Sequence, residues 1–407
     1  MQTHYPIAII GGGMAGASLA IALAQQGIQC AVFEAFEPSS QQQPSFDDRT
    51  VALSAASLNI FHALGLGQQV LAVSQPIDNI HVSDQGNIGF ARLQAQECGV
   101  ERLGAVIENW QMGNVLNQAM SEHQTIDYFA PAKVKSLQQD KDSAQLTLEY
   151  QGQERQVEAQ LVVLADGARS PLRSQLHIDS QITDYGKSAI VCNIATQQAH
   201  NNWAFERFTK DGPLALLPIS SRQQTGSRLA IVWSKPNDKI DEYLSMSESD
   251  FARELEHTFG ARLGKITKVG ERKAFPLIQQ VAEPIFRGRA VLIGNAAQSL
   301  HPIAGQGFNL ALRDVAVLTE VLTQAEDYGN YEILRRYQQQ RQPDREQTLM
   351  VTETLARLFA NQWAPLSISR NLILKAMDIT PAAKQLFAQG AMGFNFDNSR
   401  LAAGTKK

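Results

Sequence analysis

The sequence predicts an α/β protein. A parallel-sheet domain is assembled from separated segments, a mixed β-sheet domain is inserted between them, and a helical region follows. Three observations carry this reading. An apolar strand pattern at residues 7–10 runs into glycines, then an Ala- and Leu-rich helix pattern, then a second apolar run at 30–33. Fully apolar runs recur far downstream, at 161–165 and 290–293. Between 185 and 275 the pattern changes to successive strands. Short, wholly apolar runs bounded by turn residues are the mark of buried strands.

In chain order, residues 7–33 give strand, turn, helix and strand, a βαβ unit, with Gly27 where the helix should stop. Residues 36–48 are polar and read as an exposed loop. Helical spacing covers 54–64 and 110–122, and strands with a turn at Asp84-Gln85-Gly86 cover 78–93. Two strand patterns at 133–138 and 145–150 flank a turn. The inserted region offers strands at 188–196, 203–208, 214–218 and 228–234, interrupted by a helix near 249–259. After 290–293 come a loop, a long helix near 309–324, and mostly helical sequence over 331–407. The expected divisions are a discontinuous first domain over 1–75, 100–184 and 276–340, a sheet domain over 76–99 and 185–275, and a C-terminal helical region over 341–407.

Composition narrows the function classes. The 407 residues are 44% hydrophobic and 19% charged, enough apolar surface for real cores. A net charge of −4 without a basic stripe gives no pull toward nucleic acid. No apolar run is long enough for a transmembrane helix, and the first residues lack the basic start of a signal peptide. Cys30, Cys98 and Cys192 are far apart and form no CxxC, which argues against a disulfide framework. With His62, His81 and His177 also scattered, no metal centre is expected. The expected location is cytoplasmic.

The first chemistry-bearing segment is Gly11-Gly12-Gly13-Met14-Ala15-Gly16, a G-x-G-x-x-G placed after a strand and opening a helix. Gly11 permits the tight turn, Gly13 lets backbone approach a pyrophosphate, and Gly16 lets helix and strand pack closely. Ala15 lies in the first helical turn, whose free N–H groups and dipole favour phosphate. Glu34 ends the second strand, 18 residues beyond Gly16, where an acid accepts hydrogen bonds from a ribose diol and repels a 2′-phosphate. The motif by itself does not separate NAD from FAD.

Two later segments do. One is the apolar run at 161–165 delivering Asp166-Gly167 at the carboxyl end of a strand, where open α/β sheets place ligands. The other is the run into Gly294-Asn295-Ala296-Ala297, followed by His301-Pro302-Ile303-Ala304-Gly305-Gln306-Gly307-Phe308-Asn309. Small residues there admit a planar ligand close to backbone, and N–H groups from Gly305 to Asn309 could stabilise negative charge on a reduced isoalloxazine. A long dinucleotide such as FAD needs this third contribution; a nicotinamide enzyme does not.

These three marks, in this order, resemble the single-component FAD-dependent aromatic hydroxylases. The run from His301 to Asp314 is similar to the signature of the ubiquinone-biosynthesis hydroxylases, H-P-x-A-G-Q-G-x-N-x-G-x-x-D. Stretches such as Ala204-Phe205-Glu206-Arg207-Phe208-Thr209 and Gly212-Pro213-Leu214-Ala215 look like the branch acting on 2-polyprenyl-6-methoxyphenol. The resemblance implies a Rossmann-like FAD-binding domain of the aromatic-hydroxylase type, FAD as cofactor and NAD(P)H as transient reductant. It implies dioxygen as co-substrate, with oxygen transferred from a flavin C4a-hydroperoxide to an electron-rich ring. By position it also implies Arg49 near the flavin, Val134 against adenine, Asp166 near the pyrophosphate, and Gly294 and Asn295 at the ribityl chain. Gly305, Gln306, Gly307 and Asn309 fall at the isoalloxazine. His301 reads either as a general base or as a histidine ordering the His-Pro turn. Two positions depart from the pattern: Asn295 replaces Asp, and Ala311 replaces Gly.

An apolar cavity is expected between the sheet domain and the flavin, to keep a reactive oxygen species dry. Phe205, Phe208, Leu216 and Pro218 are its candidate walls. The apolar stretch at 363–396, with spaced Arg370, Lys375 and Lys384, is expected either to cap the first domain or to touch the inner-membrane surface or a ubiquinone-biosynthesis partner protein. Two other readings stay open: a hydroxylase of a soluble aromatic, which a basic clamp in the pocket would favour, and a non-catalytic flavoprotein or redox sensor.

Overall fold

The computed structural model describes residues 1–37, 49–87, 89–221, 227–300, 305–360 and Met392, leaving out the side chains of 355–360. The chain opens with β1 (His4–Ile10), α1 (Met14–Gln25) and β2 (Cys30–Phe33). Then come β3 (Thr50–Ser54), α2 (Ala55–Ala63), α3 (Gly67–Val73), β4 (Gln75–Ile77), β5 (Asn79–Asp84), β6 (Phe90–Gln94) and β7 (Gly104–Glu108). Next are α4 (Asn109–Glu122), β8 (Ile126–Phe129), β9 (Ala132–Gln139), β10 (Ala144–Tyr150), β11 (Gln153–Leu164) and α5 (Pro171–Gln175). The second half holds β12 (Asp179–Thr196), β13 (Trp203–Phe208), β14 (Pro213–Ile219), β15 (Ser227–Pro236), α6 (Ile240–Ser245) and α7 (Glu248–Phe259). It closes with β16 (Ile266–Val269), β17 (Lys273–Glu283), β18 (Phe286–Arg287), β19 (Ala290–Leu292), β20 (Gln298–Ser299), α8 (Gln306–Leu322) and α9 (Tyr331–Ala360).

The first sheet has the order β18-β19-β11-β1-β2-β8. Its centre is parallel, with Ile7 opposite both Leu161 and Cys30, and Val163 opposite Val291. These strands are apolar throughout because helices cover them; α1 packs against both α4 and α8. Leu19, Ile21 and Leu23 of α1 are wholly buried, each stabilising by roughly 1.5–3 kcal/mol over the exposed chain. The amino half of β11 leaves the parallel core and pairs antiparallel with β10.

The second sheet has the order β20-β17-β12-β15-β14-β13-β5-β6. β5 joins it parallel to β13, with His81 opposite Phe205, so the segment at 79–94 pairs into this sheet. β12 is longer than expected, and α3, α5, α6 and β17 were not expected; β12 and β17 cross residues 184 and 276. One face of this sheet packs on α7 through Phe205, Leu216, Trp233, Phe251 and Phe259. The other packs through Ala204, Leu217 and Ala230 on Ala52, Val106 and Met392, where β3, β7 and β4 form a small third sheet.

Of the stretch at 363–396, only Met392 lies within the described residues; it is buried in that seam, and its carbonyl accepts the Ala56 N–H at 3.1 Å. No described helix is long and apolar enough to cross a membrane. Cys30 and Cys192 are buried, and burial pushes both thiols up to about 12.

Candidate active site

The turn after β1 is held from both sides. Gly11 has φ +102°, and its N–H donates to the Phe33 carbonyl at 2.8 Å. A Cβ there would lie 2.6 Å from the Ala165 oxygen. A Cβ on Gly16 would overlap the carbonyl oxygen of Gly11, the close helix–turn packing that the sequence predicts. α1 begins after Gly13 with no side-chain cap, so its first N–H groups face outward for an anion.

Glu34 sits at the end of β2, 6% exposed. Its Oε2 accepts the Gly12 N–H at 2.7 Å and its Oε1 the Phe36 N–H at 3.0 Å. Burial pushes its carboxyl up, opposed by the N–H groups of Phe36, Gly12 and Ala35. A carboxylate offers about four acceptor sites, so two remain for a ribose diol. Tyr128 stands beside it; its buried hydroxyl has no partner among the described residues, and its ring blocks a Cβ on Gly12. Val134, 9% exposed, follows on β9, which is tied to this corner by the Ala132 N–H bonded to the Glu34 carbonyl. Glu34→Ala is expected to weaken FAD binding by about 10- to 100-fold, the worth of roughly 1.5–3 kcal/mol for a charged hydrogen-bond acceptor. Flavin-fluorescence titration reads this; an unchanged Kd would remove the ribose role.

Asp166 ends β11 against the same turn, its Cα 3.0 Å from the position of a Gly11 Cβ. Burial lifts its carboxyl to about 6, against the Ser170 hydroxyl and the Arg173 charge. Its Oδ1 is buried without a partner among the described residues. Arg173 binds the Ala168 carbonyl at 2.8 Å and the Ala296 carbonyl at 2.9 Å. It thus clamps the Asp-Gly turn to the late loop, a role with no motif signal.

That loop completes the convergence. A Gly294 Cβ would lie 3.1 Å from Ala15 and 3.5 Å from Ala311. The added methyl of Ala311 is therefore accommodated at ordinary contact distance from residue 294, and the tighter approach is to Ala15. The Gly294 N–H donates to Asp314 at 3.0 Å, and Asn295 is exposed. Gly305 has φ +61° and starts α8 with no side-chain cap, leaving the N–H groups of Gln306, Gly307 and Phe308 in its first turn. A Cβ on Gly307 would meet no atom of the described residues within 4 Å, so among them space lies beside it. Asn309 is used otherwise than expected. Its Oδ1 accepts from Ser54 N–H and Ser57 Oγ, and its Nδ2 donates to the Ala52 and Gly305 carbonyls. Its side chain is thereby fully occupied by the protein. Arg49 lies with its guanidinium 4.7 Å from the Phe275 ring centre, at a 240 Å³ cleft also lined by Glu108, Arg228 and Lys273. His301 lies outside the described residues.

Two uncapped helix starts, an acid at the end of β2, two buried polar atoms without partners and open space beside Gly307 fit one long dinucleotide with a flat ring at α8. FAD is such a group; Gly11 to Gly16, Glu34 and Asp166 would hold its nucleotide half, and Gly294, Asn295 and the α8 N-terminus its flavin half.

The pocket walls need correction. Phe205 and Leu216 face α7, and Pro218 shares the side of Leu216 by strand alternation. Phe208 lies on the opposite face, packed with Val82 and Ala91. That face, which borders Ala52 beside the start of α8, also carries Ala204, Glu206, Ala215, Leu217 and Ala230. Both faces are apolar because both are covered, so strand alternation could not say which one looks at the ligand. His81 is also structural: it stacks on Phe90, and burial, with Arg262 and Arg92, lowers it to about 4. The described residues hold no cluster of metal-ligating side chains.

Comparison with known proteins agrees with this geometry. A family profile described as an FAD binding domain matches residues 4–352. A ubiquinone hydroxylase, UbiL, of Rhodospirillum rubrum is 34% identical, the match covering 95% of this chain and 89% of that protein. A 3-demethoxyubiquinol 3-hydroxylase of Escherichia coli is 31% identical, covering 96% and 100%. Among solved structures, p-nitrophenol 4-monooxygenase PnpA of Pseudomonas putida shares the fold with a TM-score of 0.80 at 17% identity, covering 98% of this chain and 100% of that one. The chain belongs to the FAD-dependent aromatic-ring monooxygenases, in the family of the ubiquinone hydroxylases.

Proposed function

We propose that this protein hydroxylates the ring of a 2-polyprenyl-6-methoxyphenol, using FAD, NAD(P)H and dioxygen. The observation that carries the substrate class is the face opposite α8. It presents small apolar residues and one carboxylate, Glu206, where an aromatic acid would need a free cation. The arginine on that face, Arg228, is already bonded to Glu108 at 3.3 Å and to the Ser220 carbonyl at 2.9 Å. Of the other cations at the neighbouring cleft, Lys273 is paired with Glu271 and Arg49 lies on Phe275. A neutral phenol with an apolar tail suits this wall; a carboxylate does not.

When bound, FAD supplies the oxygen activation that no side chain can. The chain holds the ring pair in place. The first-turn N–H groups of α8 sit where negative charge is best stabilised, and the Ala and Leu face keeps water from the reacting carbon. A second reading is a later quinol of the same series, favoured by the likeness to the E. coli demethoxyubiquinol hydroxylase. The test is a short-chain 2-prenyl-6-methoxyphenol with NAD(P)H under ¹⁸O₂. The expected result is faster NAD(P)H oxidation and a product carrying one labelled oxygen. Labelled product from the demethoxyquinol alone would choose the second reading, and none from either would refute both.

A further inference from the structure

We propose that Glu206 is the proton acceptor for the substrate's phenolic hydroxyl, a catalytic residue of the reaction proposed above, on which this assignment rests. Glu206 lies in β13 between Phe205 and Arg207, whose side chains take the opposite face. It shares its face with Ala204, and Ala204 packs in one cluster with Ala52, Leu217 and Ala230. Ala52 is the residue against which Gly305 rests at the start of α8: a Gly305 Cβ would lie 3.1 Å from that of Ala52, and Asn309 binds its carbonyl. Glu206 is thus one step along the strand from the contact joining the sheet to the expected flavin site.

Its neighbours on this face are apolar. Ala204 and Phe208 precede and follow it along the strand, Ala215 lies across β14 and Val82 across β5. None of the four side chains offers a hydrogen bond. No hydrogen bond or ion pair to its carboxylate is found among the described residues, although it is half-buried. An unpaired acid in such a place costs stability, so its presence calls for a ligand. By register the charged groups on this face are Asp84, bonded by Asn87, Arg228, bonded by Glu108 from β7, Lys273, paired with Glu271, and Lys187. Burial is what lifts the Glu206 carboxyl, to about 7.

The chemistry follows. The carboxylate takes the proton of the phenol O–H, the O–H bond breaks, and its electron pair stays on oxygen as phenolate. That pair delocalises to the ortho and para carbons and makes them better nucleophiles toward an electrophilic oxygen. The proton returns to solvent at the end of the cycle. A base whose pKa lies near the working pH is the effective choice.

Test the assignment with FAD-loaded wild type, Glu206→Gln and Glu206→Asp. The probe is the short-chain 2-prenyl-6-methoxyphenol, with its methyl ether as control. Ultraviolet difference spectra, taken without reductant, should show bound phenolate in wild type and neutral phenol in Glu206→Gln, while the methyl ether binds both equally. Turnover should fall about 10²-fold in Glu206→Gln with KM nearly unchanged, and Glu206→Asp should recover part of it. Because the folded-state pKa is raised, ionising Glu206 costs stability as pH rises from about 4.5 through 7. Glu206→Gln should therefore melt higher than wild type at pH 8 and equally at pH 4. Unaltered phenolate signal and turnover in Glu206→Gln would overturn this assignment and leave the substrate class standing. Failure of wild type to bind the phenol would overturn both.

Discussion

Gly16→Ala is expected to yield protein without flavin. The added Cβ would overlap the Gly11 carbonyl oxygen, and neither partner can retreat. Gly11 is fixed by its bond to Phe33 and by its approach to Ala165, in a φ that only glycine holds comfortably. α1 is locked behind Gly16 by Leu19, Ile21 and Leu23. Overpacking of side chains costs about 1–3 kcal/mol, and a backbone overlap at a binding turn belongs at or above the top of that range. A loss of that size in the holding turn lowers FAD affinity by about 100-fold or more. The ratio of absorbance at 450 and 280 nm after purification reads it. Gly307→Ala is the control, because its Cβ meets no atom of the described residues. It should keep the melting temperature of the apoprotein while weakening flavin binding. Full flavin in Gly16→Ala would show that the turn does not hold the cofactor.

Asp314→Ala is expected to be the most damaging substitution far from any ligand. Asp314 is wholly buried and accepts three donors through its two oxygens: Gly294 N–H at 3.0 Å, Gln298 Nε2 at 2.6 Å and Arg341 Nε at 2.8 Å. Arg341 in turn is bonded to Asp344, which also takes Arg313 Nε at 2.9 Å. Removing one carboxylate leaves Arg341 buried beside an uncompensated gap, at a cost of about 3–5 kcal/mol. It also frees Gly294, so flavin retention should fall with stability. Thermal melts and flavin content both read the effect; a melting temperature unchanged from wild type would refute it. The same cluster sets acid tolerance. Burial by itself would raise the Asp344 carboxyl, but the Arg341 and Arg313 charges hold it below the ordinary range. Its contribution is therefore complete above about pH 4 and is lost as pH falls below that.

The cofactor half of the site was legible because its requirements are local. A tight turn, a helix start and a close backbone approach each demand small residues at fixed spacing, and Gly11, Gly16, Gly294 and Gly305 stand where those demands arise. The rest depends on tertiary partners. Asn309 belongs to a motif, yet its four side-chain bonds go to Ala52, Ser54, Ser57 and Gly305. Phe205 and Leu216 looked like pocket walls because aromatic and aliphatic residues suit one. α7 covers them, and a helix packing on a sheet leaves no mark in the strand itself. Glu206 was visible as part of a stretch resembling the hydroxylases, with nothing in the strand to give it a role. Arg173 and Arg341 carry no signal at all, since what they join is separated by more than a hundred residues or lies on another helix.

The central strand of the nucleotide sheet has a consequence for how the chain acquires its flavin. β1 is made first, but its neighbour β11 comes at 153–164 and the next strand, β19, only at 290–292. During synthesis the opening βαβ unit must wait, apolar faces uncovered, while the inserted sheet is made. Contacts this distant in sequence make folding slow and hazardous. The binding site closes only after α8 and Arg341 have left the ribosome. Flavin loading is therefore expected to come late, so that delayed folding of the inserted sheet should lower flavin content without touching an atom of the site.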